Sequence, residues 1–356
     1  MRLNSAFFLL LFTVALPLSG IAVADEPAKA PAEGTKLFEQ KNLVAWCIVP
    51  FDSKKRGPEE RAAMLEKLGF TQFAYDYRAE HIPTFDAEVE ALAKHKVELS
   101  AWWFPTELNA EARGILDVLK RHKIKAQLWI TGGGGPTKTE EERIARVKAE
   151  AARIRPIAEE AAKIGCSVGL YNHGGWFGEP ENQLAIIDEL KLPNVGIVYN
   201  QHHGHDQLDR FPGLLKKMLP HLYVLNLNGM MPDGERRGQK ILPLGQGELD
   251  PKLLKIIAES GYQGPIGILG HTQDDAEQRL QDNLDGLAWL VKQLNGKDPG
   301  PRPKPRTPVP APTPPKTTEA APAETPGWIV AGRKEYREPP LTVECRVKLT
   351  QKGTYN

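Results

Sequence analysis

Five of the nine histidines in the chain, His173, His202, His203, His205 and His271, each sit just past a short apolar run. The first lies in Gly169-Leu-Tyr-Asn172-His173-Gly-Gly-Trp-Phe-Gly-Glu179. The next three lie in Val195-Gly-Ile-Val-Tyr-Asn200-Gln-His202-His203-Gly-His205-Asp206, and the last follows Ile266-Gly-Ile-Leu-Gly270. An apolar run that stops at Asn, His and Gly reads as a buried parallel strand opening into a functional loop. Imidazole changes charge near neutral pH and binds metals in its neutral form, so such loops suit acid–base or metal chemistry. A solvated, hydrogen-bonded rim has the same composition. The functional reading therefore requires His173 and His271 to share one rim with the others.

The elements that must position these loops repeat along the chain. Strands are expected at Leu43 to Phe51, Phe73 to Tyr77, Glu98 to Phe104, Lys125 to Ile130, Ser167 to Tyr171, Val195 to Tyr199, Tyr223 to Leu227 and Pro265 to Leu269. Helical patterns fill the gaps: Pro58 to Leu68, Asp86 to His95, Ala110 to His122, Glu140 to Ile164, Asn182 to Leu190, Pro212 to Leu219, Pro251 to Ser260 and Asp274 to Leu294. Several open on Pro or acidic residues and close near Lys, His or Gly, as capping and the helix dipole favour. Strand and helix alternating over about 250 residues predict a (β/α)8 TIM barrel. An open doubly wound sheet is the alternative. No Gly-x-Gly-x-x-Gly follows the first strand, and Gly132 to Gly135 lacks the Lys-Ser/Thr of a phosphate loop.

Barrels of this kind carry their active groups at the carboxyl ends of the strands. Those ends hold Asp52; Asp76, Tyr77 and Arg78; Trp102, Trp103 and Glu107; Trp129; Asn172 and His173; Asn200 and the histidines beyond it; Asn226 and Asn228; and His271. Tryptophan faces beside amide and imidazole donors suit a sugar, whose C–H faces stack while its hydroxyls hydrogen-bond. Tryptophans at such positions also pack cores. The loop from Asp233 to Lys240, with Arg236 and Arg237, can clamp an anion or lie solvated, and Thr272 is a candidate N-cap for the last helix.

Lys and Arg total 46 against 45 for Asp and Glu. That balance, with no basic run, argues against a nucleic-acid partner. Residues 1–24 read as a signal peptide, with Arg2, an apolar core from Phe7 to Leu18 too short to span a bilayer, and Ala22-Val-Ala24 as the cleavage site. Cleavage after Ala24 implies a secreted or periplasmic protein without a stable membrane anchor. Residues 25–36 read as a disordered spacer, 37–296 as the barrel, 297–326 as a stiff Pro-rich linker, and 327–356 as the incomplete start of a β-sandwich. Cys47, Cys166 and Cys345 are too few for a disulfide framework, and the first two are expected as buried thiols.

The motifs Leu170-Tyr-Asn-His-Gly-Gly175, Asn200-x-x-His203, Leu244-Gly-Gln-Gly-Glu-Leu-Asp250 and Gly261-Tyr-Gln-Gly-Pro-Ile-Gly-Ile268 together resemble the sugar phosphate isomerase/epimerase family, the xylose-isomerase-like TIM barrels. The tail resembles the start of a LamG-like, concanavalin-type domain. The family resemblance implies a divalent metal held by Glu, Asp, His and Glu from strands five to eight, which polarises a hydroxy-ketone while carboxylates move a proton. Those positions here hold Tyr171, Asn200, Leu225 and Leu269, whereas the substrate-contacting histidine is kept as His203. Three readings follow. One is an isomerase or epimerase acting on a small carbohydrate through a rebuilt site, with His173, His203 and Glu179 catalytic. His173, His203, His205 and His271 then become candidate ligands for a transition metal such as Zn or Mn. Asp76, Arg78, Trp103, Glu107, Trp129, Asn172, Asn200, Asn226 and His271 are the candidate substrate contacts. The second is a non-catalytic carbohydrate-binding barrel. The third is a metal-independent sugar lyase or hydrolase using Asp76, Glu107 or Glu179 as acid and base.

Overall fold

A computed structural model describes residues 33–313. Eight parallel strands close into a barrel in sequence order: β1 (Leu43–Trp46), β2 (Gln72–Tyr75), β3 (Glu98–Trp103), β4 (Gln127–Ile130), β5 (Ser167–Tyr171), β6 (Val195–Asn200), β7 (Leu222–Leu227) and β8 (Ile266–Leu269). The helices that follow them are α1 (Pro58–Lys67), α2 (Phe85–Lys94), α3 (Ala110–Arg121), α4 (Glu140–Lys163), α5 (Pro180–Leu190), α6 (Phe211–Met218), α7 (Asp250–Glu259) and α8 (Ala276–Leu294). This is the (β/α)8 barrel the repeats predict. Among the described residues no helix is long and apolar enough to cross a membrane.

Alternation along the strands divides the apolar residues between two cores. One lies between strands and helices. The other fills the barrel and includes Val44, Trp46, Ala74, Ala101, Trp129, Tyr171, Val198, Val224 and Leu269. The Trp46 and Trp129 rings meet edge to face with centroids 4.6 Å apart, and Trp129 stacks on Tyr171 at 6.0 Å. Gly169 makes room for this plug: a Cβ there would lie 3.0 Å from Cδ1 of Trp129 and 2.6 Å from Cγ2 of Val198.

Two boundaries differ from expectation in ways that shape the site. The apolar run from Leu43 to Phe51 continues past β1, but the ladder stops at Trp46. Cys47 adopts a left-handed φ of 61°, and the N–H groups of Ile48 and Val49 turn to the Asp76 carboxylate at 3.3 and 3.1 Å. The last helix is capped by Asp275, whose side chain accepts the Glu277 N–H, and Thr272 does not serve as its cap.

The flanking segments also depart from a spacer and a free linker. Residues Glu33–Phe38 form a 3-10 helix so closely packed that a Cβ on Gly34 would lie 2.2 Å from the Ala258 carbonyl oxygen. The Pro-rich segment docks as a strap as far as Thr313. Proline supplies carbonyls but no N–H, and the strap is fastened accordingly: Trp289, Gln246 and Gln239 donate to the carbonyls of Gly300, Pro303 and Pro310 at 3.0, 2.9 and 3.0 Å. Its firmest point is the buried Asp282 carboxylate, which accepts from Arg306 N, Thr307 N and Thr307 Oγ1 at 2.8, 2.9 and 2.7 Å. Removing that acceptor leaves three donors to be resolvated, so Asp282→Ala is expected to cost about 1–3 kcal/mol and to open residues 303–313 to proteolysis. Unchanged protease resistance would show that the strap is held elsewhere. The expected signal peptide, most of the spacer, the distal linker and the β segment at 327–356 lie outside the described residues.

Candidate functional site

At the carboxyl ends of the strands the barrel opens into a hollow of about 760 Å³, lined in part by Phe51, His173, His202, His203, Lys240 and His271. It continues downward into a pit of about 100 Å³ whose walls include Trp46, Cys47, Asp76, Arg78, Trp103 and Tyr171. The imidazoles form a chain of near contacts. Ring centroids lie 4.5 Å apart for His173 and His203, 3.6 Å for His202 and His203, and 5.7 Å for His202 and His271. The loops after β5, β6 and β8 therefore share one mouth, as the functional reading requires.

Burial sets the charge of this cluster. Withdrawal from water drives His203 down to about 2, with His173 and Lys240 adding repulsion. It drives His271 down to about 4, helped by Arg78. His202 is pushed well below the ordinary range and His173 is lowered, again chiefly by desolvation. All four are neutral at pH 7, each with one N–H donor and one lone pair. Nδ1 of His202 is buried without a partner.

These shifts carry a stability signature. An unfolded imidazole takes a proton below about 6.5, while folded His271 refuses it until about 4. In that window the unfolded state binds more protons, so stability contributed by the neutral ring falls as pH falls. His271→Asn should lose less thermal stability than the unaltered protein between pH 6.5 and 4. Parallel losses in melting curves would contradict neutral burial of His271.

The other walls bring in groups of different character. Trp103 stands 5.1 Å from Tyr171 and 6.1 Å from His173, centroid to centroid. The Arg78 guanidinium lies over Phe51 at 5.6 Å. Lys240 pairs with Glu235 at 2.5 Å, and Pro310 from the strap completes the rim. The loop after β7 does supply a cation, but it is Lys240 that lines the hollow, and Arg236 and Arg237 do not. Of the sequence candidates, His173, His203, His271, Asp76, Arg78 and Trp103 line the hollow or its pit.

The remainder are taken elsewhere by packing or pairing. Glu179 is tied to Arg210 at 2.8 Å and Gln207 at 3.2 Å, away from the hollow. Glu107 is an exposed loop residue outside it. Trp129 is fully buried inside the barrel with Nε1 donating to Gln127. Asn226 is buried against Gly267 on the neighbouring strand, where a Cβ would lie 1.7 Å from its Oδ1. The Asn172 side chain clamps the Asn200 backbone, accepting its N–H at 2.7 Å and donating to its carbonyl at 3.1 Å. Asn200 in turn donates to the Tyr171 hydroxyl and accepts the His202 N–H at 3.3 Å. Both asparagines shape the loops and leave the lining to others. His205 is directed to the Lys240 carbonyl at 2.9 Å, holding that loop against the mouth.

A model of the xylose isomerase-like TIM barrel family matches residues 62–293. The chain belongs to that family. No curated protein sequence matches it, whereas solved structures share its fold. A 3-keto-D-glucoside 4-epimerase from E. coli is 18% identical with a TM-score of 0.52, covering 70% of this chain and 98% of that one. The IOLI protein, whose structure holds a zinc atom, is 15% identical with a TM-score of 0.56 over 70% and 98%. A D-tagatose 3-epimerase-like protein is 14% identical with a TM-score of 0.53 over 71% and 98%.

The family's divalent metal does not fit the residues present. At its four positions, the Tyr171 hydroxyl accepts hydrogen bonds from Trp46 Nε1 at 3.3 Å and from Asn200. Asn200 is committed as described, and Leu225 and Leu269 are fully buried aliphatic residues. None offers a hard anionic ligand. The alternative set of His173, His203, His205 and His271 is corrected as well, because His205 is spent on Lys240. Among the described residues no group of three or more His, Cys, Asp or Glu is placed to hold a metal ion.

Proposed function

We propose that the chain is an exported member of its family that binds a small, unphosphorylated carbohydrate at the barrel mouth and moves a proton on it, as a sugar isomerase or epimerase does. Neutral imidazoles take over the polarising work that the family assigns to a metal. The observation that carries this is the set of four uncharged histidines around the hollow, above a pit walled by Trp103. A neutral imidazole N–H aimed at a carbonyl stabilises the oxyanion as it forms, without first having to lose a proton. Trp103 offers a face for the sugar's C–H groups, while Arg78 and Lys240 offer donors to its hydroxyls.

Convergence of titratable groups supports this reading over a purely binding barrel. A two-carboxylate hydrolase or lyase finds less support, since Glu107 and Glu179 both stand outside the hollow. The test is a panel of free aldoses and ketoses incubated with purified protein and followed by NMR. Interconversion of at least one pair is expected, and a panel that is neither bound nor altered would overturn the proposal.

A further inference from the structure

The pit below the histidines is organised around one carboxylate. Asp76, just past the end of β2, is 2% exposed. Its Oδ1 accepts the N–H groups of Ile48 and Val49. Its Oδ2 is buried and has no hydrogen-bond partner. A carboxylate fastened through one oxygen and open at the other has a fixed aim and a free lone pair, which is what a general base requires. Arg78 does not occupy that lone pair, because its guanidinium donates to the backbone carbonyls of Asp76 and Tyr77 at 3.0 and 2.8 Å.

Cys47 lines the same pit as a free and buried thiol. It arrives there through the left-handed backbone at φ 61°, a conformation that is strained for a residue with a side chain and that clusters at functional sites. In a closed barrel ordered β1 to β8, β2 and β6 stand opposite one another. The mouth therefore lies between Asp76 on one side and His202 and His203 on the other.

We infer that Asp76 is the base that moves the substrate's proton. This rests on the proposed sugar chemistry and assigns its proton carrier. Oδ2 takes the proton from the carbon beside the carbonyl. The C–H electron pair becomes the carbon–carbon double bond of an enediolate, and the carbonyl pair moves onto oxygen, where an imidazole N–H meets it. The proton on Oδ2 then returns to the former carbonyl carbon, where the double-bond pair forms the new C–H bond, while the hydroxyl on the neighbouring carbon passes its proton through an imidazole to the enediolate oxygen and becomes the new carbonyl.

The electrostatics agree with the geometry. Burial lifts Asp76 to about 7, against the pull of the Val49 amide, Arg78 and Arg61. The titratable and charged groups around it are Cys47, Arg78, Arg61, Tyr75 and Tyr171, with His173, His202, His203 and His271 lining the same pit. Such a carboxylate is a far stronger base than an exposed one and is available at neutral pH.

The test uses glycidol, a small epoxide that a carboxylate opens to an ester, on the full chain with mass-spectrometric mapping. One ester per chain is expected at Asp76, with a rate rising about tenfold per pH unit up to a midpoint near 7 and level above it. Asp76→Asn should abolish the label while keeping the melting temperature, since an amide oxygen can still accept both N–H groups. Labelling of Cys47 itself, or of exposed carboxylates only, or a midpoint near 4, would overturn the assignment of Asp76. Because labelling requires no turnover, a negative sugar panel and a negative label remain separate outcomes.

Discussion

Replacing Trp129 by alanine is expected to cost the barrel about 3–5 kcal/mol, read from the midpoint of denaturant unfolding. The indole is fully buried and touches Trp46 on one side and Tyr171 on the other. Gly169 already leaves the space beside it empty of side chain. A parallel barrel cannot collapse into the void, because eight hydrogen-bonded ladders fix its radius, so most of the cavity cost persists. Trp129→Phe should recover much of the loss while failing to bond Gln127. A change under about 1 kcal/mol for the alanine variant would mean that the interior is less filled than described. The same substitution separates packing from binding, since a sugar contact at Trp129 would lower affinity and leave stability unchanged.

His203→Ala should act in the opposite way, with little effect on folding and a large one on turnover. Removing one preorganised donor from a developing oxyanion costs about 10²–10³ in kcat, and His203 is the imidazole that touches both His173 and His202. For any sugar the protein converts, kcat should fall by that factor with KM changing much less, while the melting temperature stays within a few degrees. His203→Gln, which keeps an N–H donor, should recover part of the loss. A loss confined to KM would assign His203 to binding alone.

The barrel is legible because apolar strand runs and amphipathic helices alternate eight times, several helices with Pro or acidic residues at their start, so the repeats reinforce one another. The first strand ends before its apolar run does. The left-handed Cys47 and the side-chain acceptor Asp76, which stop the ladder, leave no mark in hydrophobic pattern. The strap escaped for a related reason: Pro-rich composition rules out a core, but it does not prevent docking through carbonyls onto Gln239, Gln246 and Trp289. In the site, the histidine loops were visible as clusters at strand ends. Their partition was not, since His202 lines the hollow and His205 holds Lys240 according to which way a short 3-10 turn faces. Trp103 and Trp129 look equivalent in sequence, yet one lines the pit and the other plugs the barrel. Glu179 has the type and the nearness of a catalytic carboxylate, and pairing with Arg210 removes it.

The central claim is that uncharged imidazoles and a buried carboxylate at the barrel mouth shift a proton on a sugar without the family's metal-binding carboxylates. Its most direct test is NMR of the sugar panel in heavy water with protein treated with a strong chelator. Solvent deuterium is expected to enter at the carbon beside the carbonyl, at a rate the chelator does not change. Exchange that stops with chelation and returns with added Mn²⁺ or Zn²⁺ would contradict it.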